Sequence, residues 1–163
     1  MKPWRNPYVV APAWCAVSAA LVALRPSPAW LALGVASWPL AEYAVHRWAM
    51  HALASVNARA YRKAHGVHHG HPLDASHYVV PPVAVAPAVA LVALVASPSY
   101  AAGLRLATAA HDLVHMGAHG LGPLGGLVPA SLVRHHAGHH ADQSTNFSVT
   151  FPPLDALLGT RSP

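Results

Sequence analysis

The chain has 163 residues, of which 54% are hydrophobic and only 9% charged, far below the charged share of about a quarter in ordinary soluble domains. Its net charge of +5 comes from basic residues that stand singly or in the short group Arg59, Arg62 and Lys63, so the basic stripe of a nucleic-acid binder is missing and no nucleic-acid partner is expected. A single cysteine, Cys15, excludes an intrachain disulfide, a thiol redox pair and a zinc knuckle, and the length fits one domain over residues 1–163.

Four apolar runs follow one another. The first, Tyr8 to Leu24, is separated from the second, Ala29 to Val45, by Arg25-Pro26-Ser27-Pro28, a breaker that reads as a tight turn between two helices. The third runs from Tyr78 to Ala96 and carries Pro81, Pro82 and Pro87; Ser97-Pro98-Ser99 then turns the chain into the fourth, Tyr100 to about Val114. Each run approaches the ~20 residues that cross a hydrocarbon core, and prolines inside such a helix are tolerated where neighbours satisfy the freed backbone groups. The fold class read from this pattern is all-α: an integral membrane protein with about four transmembrane helices in two hairpins and a histidine-rich cap.

The basic residues give this arrangement a direction. With four crossings, Lys2, Arg5, Arg47, Arg59, Arg62, Lys63, Arg134 and Arg161 fall on one side and Arg25 and Arg105 on the other. By the positive-inside rule both termini and the segments 46–77 and 115–163 face the cytoplasm.

Those two segments hold nearly all of the 14 histidines, which outnumber the five carboxylates. Ten stand in four clusters: His46 and His51; His65, His68 and His69; His115 and His119; His136, His139 and His140. One histidine pair is weak evidence for a metal; four clusters at ligand spacing point to a dimetal site. Residues three or four apart share a helix face, whereas neighbours point about 100° apart. That rule sorts the ten into His46, His65, His68, His136 and His139 around one ion, and His51, His69, His115, His119 and His140 around the other. Five nitrogens leave one octahedral position open for water or dioxygen. Imidazole suits iron, zinc, copper and nickel, so ligand type alone does not choose the metal, and zinc can substitute for iron. Ligating rings usually donate their other N–H to a carboxylate or carbonyl; Glu42 and Asp142 are the best placed carboxylates, with Asp74 and Asp112 beside the clusters.

The order of these clusters, with Glu42-Tyr43-x-x-His46-Arg47, His65-Gly66-Val67-His68-His69, Pro72, Asp74 and Val80-Pro81-Pro82, resembles the membrane fatty acid hydroxylase/sterol desaturase superfamily, closest to its fatty acid 2-hydroxylase branch. Asp112-Leu113-Val114-His115, Asn146-Phe147-Ser148-Val149, Leu154-Asp155 and Gly159-Thr160 are similar to that branch too. The resemblance implies a helical membrane anchor, two iron ions, O2 as co-substrate and hydroxylation beside the carboxyl group of a long acyl chain drawn from the bilayer. It also implies a separate electron donor, cytochrome b5-like, a ferredoxin or similar. Carotenoid ring hydroxylation and lipid or sterol desaturation are the alternatives within the superfamily, and a membrane metal-binding or transport protein is the non-enzymatic one. His111 departs from the branch, which usually carries tyrosine there.

Overall fold

Asn6 starts the first helix by accepting the backbone N–H of Tyr8 at 2.9 Å, with Pro7 at the first helical position, where a missing N–H costs nothing. The structure is a computed structural model and describes residues 6–63, 65–78 and 82–162; Lys2 and Arg5 of the basic count, and Val80 and Pro81 of the motif, lie outside the described residues. The elements are α1 (Pro7–Leu24), α2 (Pro28–Ala44), a π-helical turn (Val45–His51), α3 (Leu53–Val56), α4 (Ala58–Lys63), α5 (His65–Gly70), a 3₁₀ turn (Ala75–His77), α6 (Pro82–Val95), α7 (Pro98–Ala118), α8 (Ala130–Ala141) and α9 (Pro153–Leu157). No strand occurs among the described residues.

The chain divides into two compact units, residues 1–38 with 78–113, and residues 39–77 with 114–163. The first is built from α1, most of α2, α6 and most of α7. Its two proline turns are clasped together: the Ser27 N–H donates to Ser99 Oγ at 3.1 Å, and Ser99 Oγ donates to the Arg25 carbonyl at 2.6 Å. Small residues bring the helices close. A Cβ added at Gly103 would meet the Leu31 carbonyl and lie 3.0 Å from Gly34 Cα, and Ala101 and Ala102 are buried. Ser18 Oγ donates to the Ala102 carbonyl at 3.3 Å. Small residues and hydroxyls at contacts are how helices associate in lipid, where apolar burial gives no driving force.

Outward, this unit is apolar: Val9, Leu24, Leu33, Leu91, Leu94 and Val95 are all exposed. Large contiguous apolar surfaces are rare on soluble monomers. Helices occupy all four predicted runs, yet among the described residues only α1 is both long and apolar enough to cross a membrane by itself. The regular part of α6 has 14 residues, and α7, with 21, includes Arg105, His111 and Asp112.

The second unit packs around Tyr43, Phe147 and Leu154, with the Tyr43 and Phe147 rings edge to face at 5.9 Å. Asn146 adopts a left-handed conformation (φ 54°), which asparagine tolerates better than most side chains. Its N–H donates to the Thr160 carbonyl at 2.8 Å and its side-chain amide to the His135 carbonyl at 3.1 Å. Gly138 makes this possible, because a Cβ there would stand 2.7 Å from Asn146 Nδ2.

Replacing Gly103 by alanine forces the two helix backbones apart and is expected to destabilise the protein by about 1–3 kcal/mol. Gly70→Ala, where a Cβ meets nothing within 4 Å, is the control; thermal unfolding in detergent micelles reads the difference.

Candidate metal centre

Four local structures deliver the ten clustered histidines. Val45–His51 is a π-helical turn whose end is marked by the Ala52 N–H donating to the Arg47 carbonyl at 3.2 Å. In such a turn hydrogen bonds run to the fifth residue, so side chains five apart come onto one face, a device frequent at functional sites. His46 and His51 accordingly meet, Nε2 to Nε2 at 3.2 Å. The α5 cluster supplies His65, His68 and His69; the end of α7 and the residue after it supply His115 and His119; α8 supplies His136, His139 and His140.

The rings converge in two groups of five: His46, His51, His65, His69 and His139, and His68, His115, His119, His136 and His140. Within each group the ligand nitrogens all lie within 4.8 Å of one another. All ten predicted residues are therefore brought together, but the predicted division between the groups is wrong. His69 sits 2.9 Å from His65, and His140 3.2 Å from His136, so each i,i+4 pair shares a group and the residue three along joins the other. Side chains four apart on an α-helix are only about 40° out of line, against about 60° for those three apart. His46 and His51 share a group for the different reason that the turn carrying them is not α-helical.

The spacing fits metal ions. Contacts in the first group run from 2.9 to 3.2 Å and in the second from 2.8 to 3.2 Å. With metal–nitrogen bonds of about 2.1 Å, neighbouring ligands of an octahedron stand about 3.0 Å apart and those of a tetrahedron about 3.4 Å. Hydrogen bonding among the rings cannot explain the contacts. His51 Nε2 faces the Nε2 atoms of His46, His65 and His139 at 3.2, 3.1 and 3.1 Å, and one nitrogen carries at most one proton.

Two rings have their tautomer fixed by backbone carbonyls, which only accept. His46 Nδ1 donates to the Phe147 carbonyl at 2.5 Å and His139 Nδ1 to the Thr145 carbonyl at 2.7 Å, leaving both Nε2 lone pairs aimed into the group. Burial, reinforced for most of them by neighbouring imidazoles, keeps eight of the ten rings neutral. Burial first, then the charge of His139, lowers His51 to about 4; burial lowers His119 to about 4; burial and then the neighbouring rings lower His140 to about 3 and His68 and His69 to about 2. The same causes hold His65 and His136 well below the usual value. Burial also lowers His139, against the opposing pull of the Thr145 carbonyl. Neutral imidazole is the form that ligates a metal.

The predicted carboxylates take other places. Glu42 is buried and holds a loop, accepting from the N–H groups of Val149 and Thr150 (3.0 Å for Thr150) and from the Thr150 hydroxyl. Asp74 and Asp142 close local turns: Asp74 accepts the Ser76 N–H at 2.9 Å and lies 3.3 Å from His77, and Asp142 accepts the Ser144 N–H at 2.9 Å and hydroxyl at 2.7 Å. Asp112 belongs to the other unit, as do His111 and the Trp38 ring packed on it at 5.4 Å. His46 and His139 are held instead by the main-chain carbonyls of Phe147 and Thr145, and Asp155 accepts the Phe147 N–H beneath them. Main-chain carbonyls leave no side-chain signature; Asp155 stood in the motif but carried no assigned role.

The sequence profile of the fatty acid hydroxylase family matches residues 31–160. The chain belongs to the fatty acid hydroxylase family. A fatty acid 2-hydroxylase from Rattus norvegicus is 30% identical over 145 residues, covering 80% of this chain and 39% of that protein. A dihydroceramide fatty acyl 2-hydroxylase from Arabidopsis thaliana is 31% identical over 142 residues, covering 80% and 59%. The structure of full-length scs7p, in which only the hydroxylase domain is visible, superposes with a TM-score of 0.79 at 27% identity, covering 97% of this chain and 67% of that one. This fatty acid hydroxylase family member therefore spans less than two thirds of the length of these curated relatives.

Two measurements check the geometry. The double variant His65→Ala/His69→Ala is expected to retain about half of the bound metal, because both residues lie in one group; the i,i+3 division would damage both sites, and metal analysis after purification separates the two. After chelator treatment, stability is expected to be flat above pH 6.5 and to fall as pH drops from there toward 4. In that window unfolded histidines take up protons while the folded rings stay neutral, and melting temperature against pH follows the loss.

Proposed function

We propose that this protein is a di-iron, O2-dependent lipid hydroxylase whose substrate is a long-chain acyl group, anchored in a membrane by several helices. The observation that carries the reading is the pair of five-histidine groups, each with buried or half-buried rings and nitrogens at octahedral spacing, in a chain of the fatty acid hydroxylase family. His46, His51, His65, His69 and His139 would hold one ion, and His68, His115, His119, His136 and His140 the other.

Iron held there supplies the oxidising power that an unactivated C–H bond demands and that no side chain provides. In the balanced reaction one oxygen atom enters the C–H bond and the other leaves as water, with two electrons and two protons from a donor. That donor is a separate redox protein in this reading. Burial within the chain keeps eight of the ten rings neutral, and carbonyl contacts fix His46 and His139, which would leave their nitrogens available to hold the ions. The apolar outer face of the first unit favours a bilayer environment from which a long chain could be drawn. The excess of basic residues in segments 46–77 and 115–163 favours the cytoplasmic side for those segments in this reading.

Expression with ferrous iron and a reducing partner, followed by metal analysis and incubation under labelled dioxygen, tests the proposal. About two metals per chain and labelled hydroxyl in an acyl lipid are expected, with a loss of at least about 100-fold in product for His51→Ala or His119→Ala, in line with the loss of an essential catalytic group. Label in a carotenoid ring would move the chain to the alternative substrate. A folded protein without stoichiometric metal would overturn the di-iron reading.

A further inference from the structure

Asp155 is wholly buried, and two of the donors around it, the Phe147 and Ser148 N–H groups, belong to the loop that meets the first ligand group. It accepts the N–H groups of Phe147 and Ser148, each at 2.8 Å, the Thr160 hydroxyl at 2.8 Å and His135 Nε2 at 3.0 Å. A carboxylate has about four acceptor sites, so the group is fully used. Its hydrogen bonds also carry a direction. The single Thr160 proton goes to Asp155, so Tyr43, 3.0 Å from Thr160 Oγ1, must donate to it, and the Tyr43 oxygen in turn accepts from Arg47 at 2.6 Å. A continuous line therefore runs from the Arg47 guanidinium through Tyr43, Thr160 and Asp155 to the Phe147 peptide, whose carbonyl accepts His46 Nδ1–H. The same loop offers the Thr145 carbonyl to His139.

Both rings held in this way, His46 and His139, belong to the first group. In the second group His136 Nδ1 is buried and has no hydrogen-bond partner. His69 Nδ1 in the first group is likewise buried without one, so the carbonyl contacts single out His46 and His139 rather than every ring of their group.

We infer that Asp155 is a positioning residue for the first metal group alone: by fixing the Thr145–Ser148 backbone it aims His46 and His139, and it raises that group's affinity for its ion over the second's. The inference rests on the reading that the histidines bind metal. It differs from a general structural role, because His135, which also contacts Asp155, precedes His136 of the second group on α8; a loss of packing would reach both groups.

Cobalt(II) titration of the chelator-treated full chain in detergent micelles, read by absorption, separates these cases. In the background His115→Ala/His119→Ala, where the first group is intact, Asp155→Asn is expected to weaken cobalt binding about 10–100-fold, the usual effect of removing an outer-shell partner. In the background His65→Ala/His69→Ala, where the second group is intact, it is expected to leave binding unchanged, which also reports that the variant folds. Thr160→Val, which removes one bond to Asp155 and the link to Tyr43, is expected to act in the same direction with smaller size. Equal weakening in both backgrounds, or none in either, would overturn the inference. Failure of both parent backgrounds to bind cobalt would instead overturn the metal reading and this role with it.

Discussion

Ten imidazoles, most of them held uncharged, with their ring nitrogens turned toward one another are an unstable arrangement in any protein, and the rest of the second unit is arranged around that constraint. Lone pairs at 2.8 to 3.2 Å repel unless a cation lies between them, and protons cannot serve because burial depresses the pKa of most of the rings. A centre of this kind can be assembled only if the surrounding chain holds each ring in place. The π-helical turn, the i,i+4 pairs, the carbonyls of Thr145 and Phe147 and the buried carboxylates of Glu42 and Asp155 all supply that restraint. Glu42 and Asp155 are buried charges, and each is compensated by several donors, as buried charges require.

The two units solve opposite solvent problems. In the first, polar atoms turn inward, with Ser18, Ser97 and Ser99 buried while leucines and valines face out. In the second, the buried polar atoms are the site itself, and Tyr43, Phe147 and Leu154 form the apolar support. Arg105 is a charge buried in the first unit, with its guanidinium 4.2 Å above the Trp14 ring, a contact favourable when water is excluded.

Much of this was legible in the sequence, and the missing parts have physical reasons. Histidine is costly to bury without a partner, so ten of them at helical spacing announce a ligand set, and proline turns punctuate the helices at residues 25–28 and 97–99. The pairing was not legible. His65-x-x-His68-His69 admits both the i,i+3 and the i,i+4 reading, and only the angle each makes on a real helix decides between them. His46 and His51 look mismatched under α-helical geometry because nothing in their side chains declares a π turn. The outer contacts were hidden for another reason: the acceptors are peptide carbonyls, and Asp142-Gln143-Ser144 and Asp74-Ala75-Ser76 spend their carboxylates on their own turns.

The π turn at Val45–His51 stores information in chain length rather than in residue type. It contains one residue more than an α-helix would use to bring two side chains to the same side, and that surplus residue directs His51 inward beside His46. No substitution can reproduce or repair such an offset, because the property belongs to the count and not to any member. Loss of the offset itself in related chains would therefore leave its mark as a gap in the alignment, with both histidines still present on either side of it.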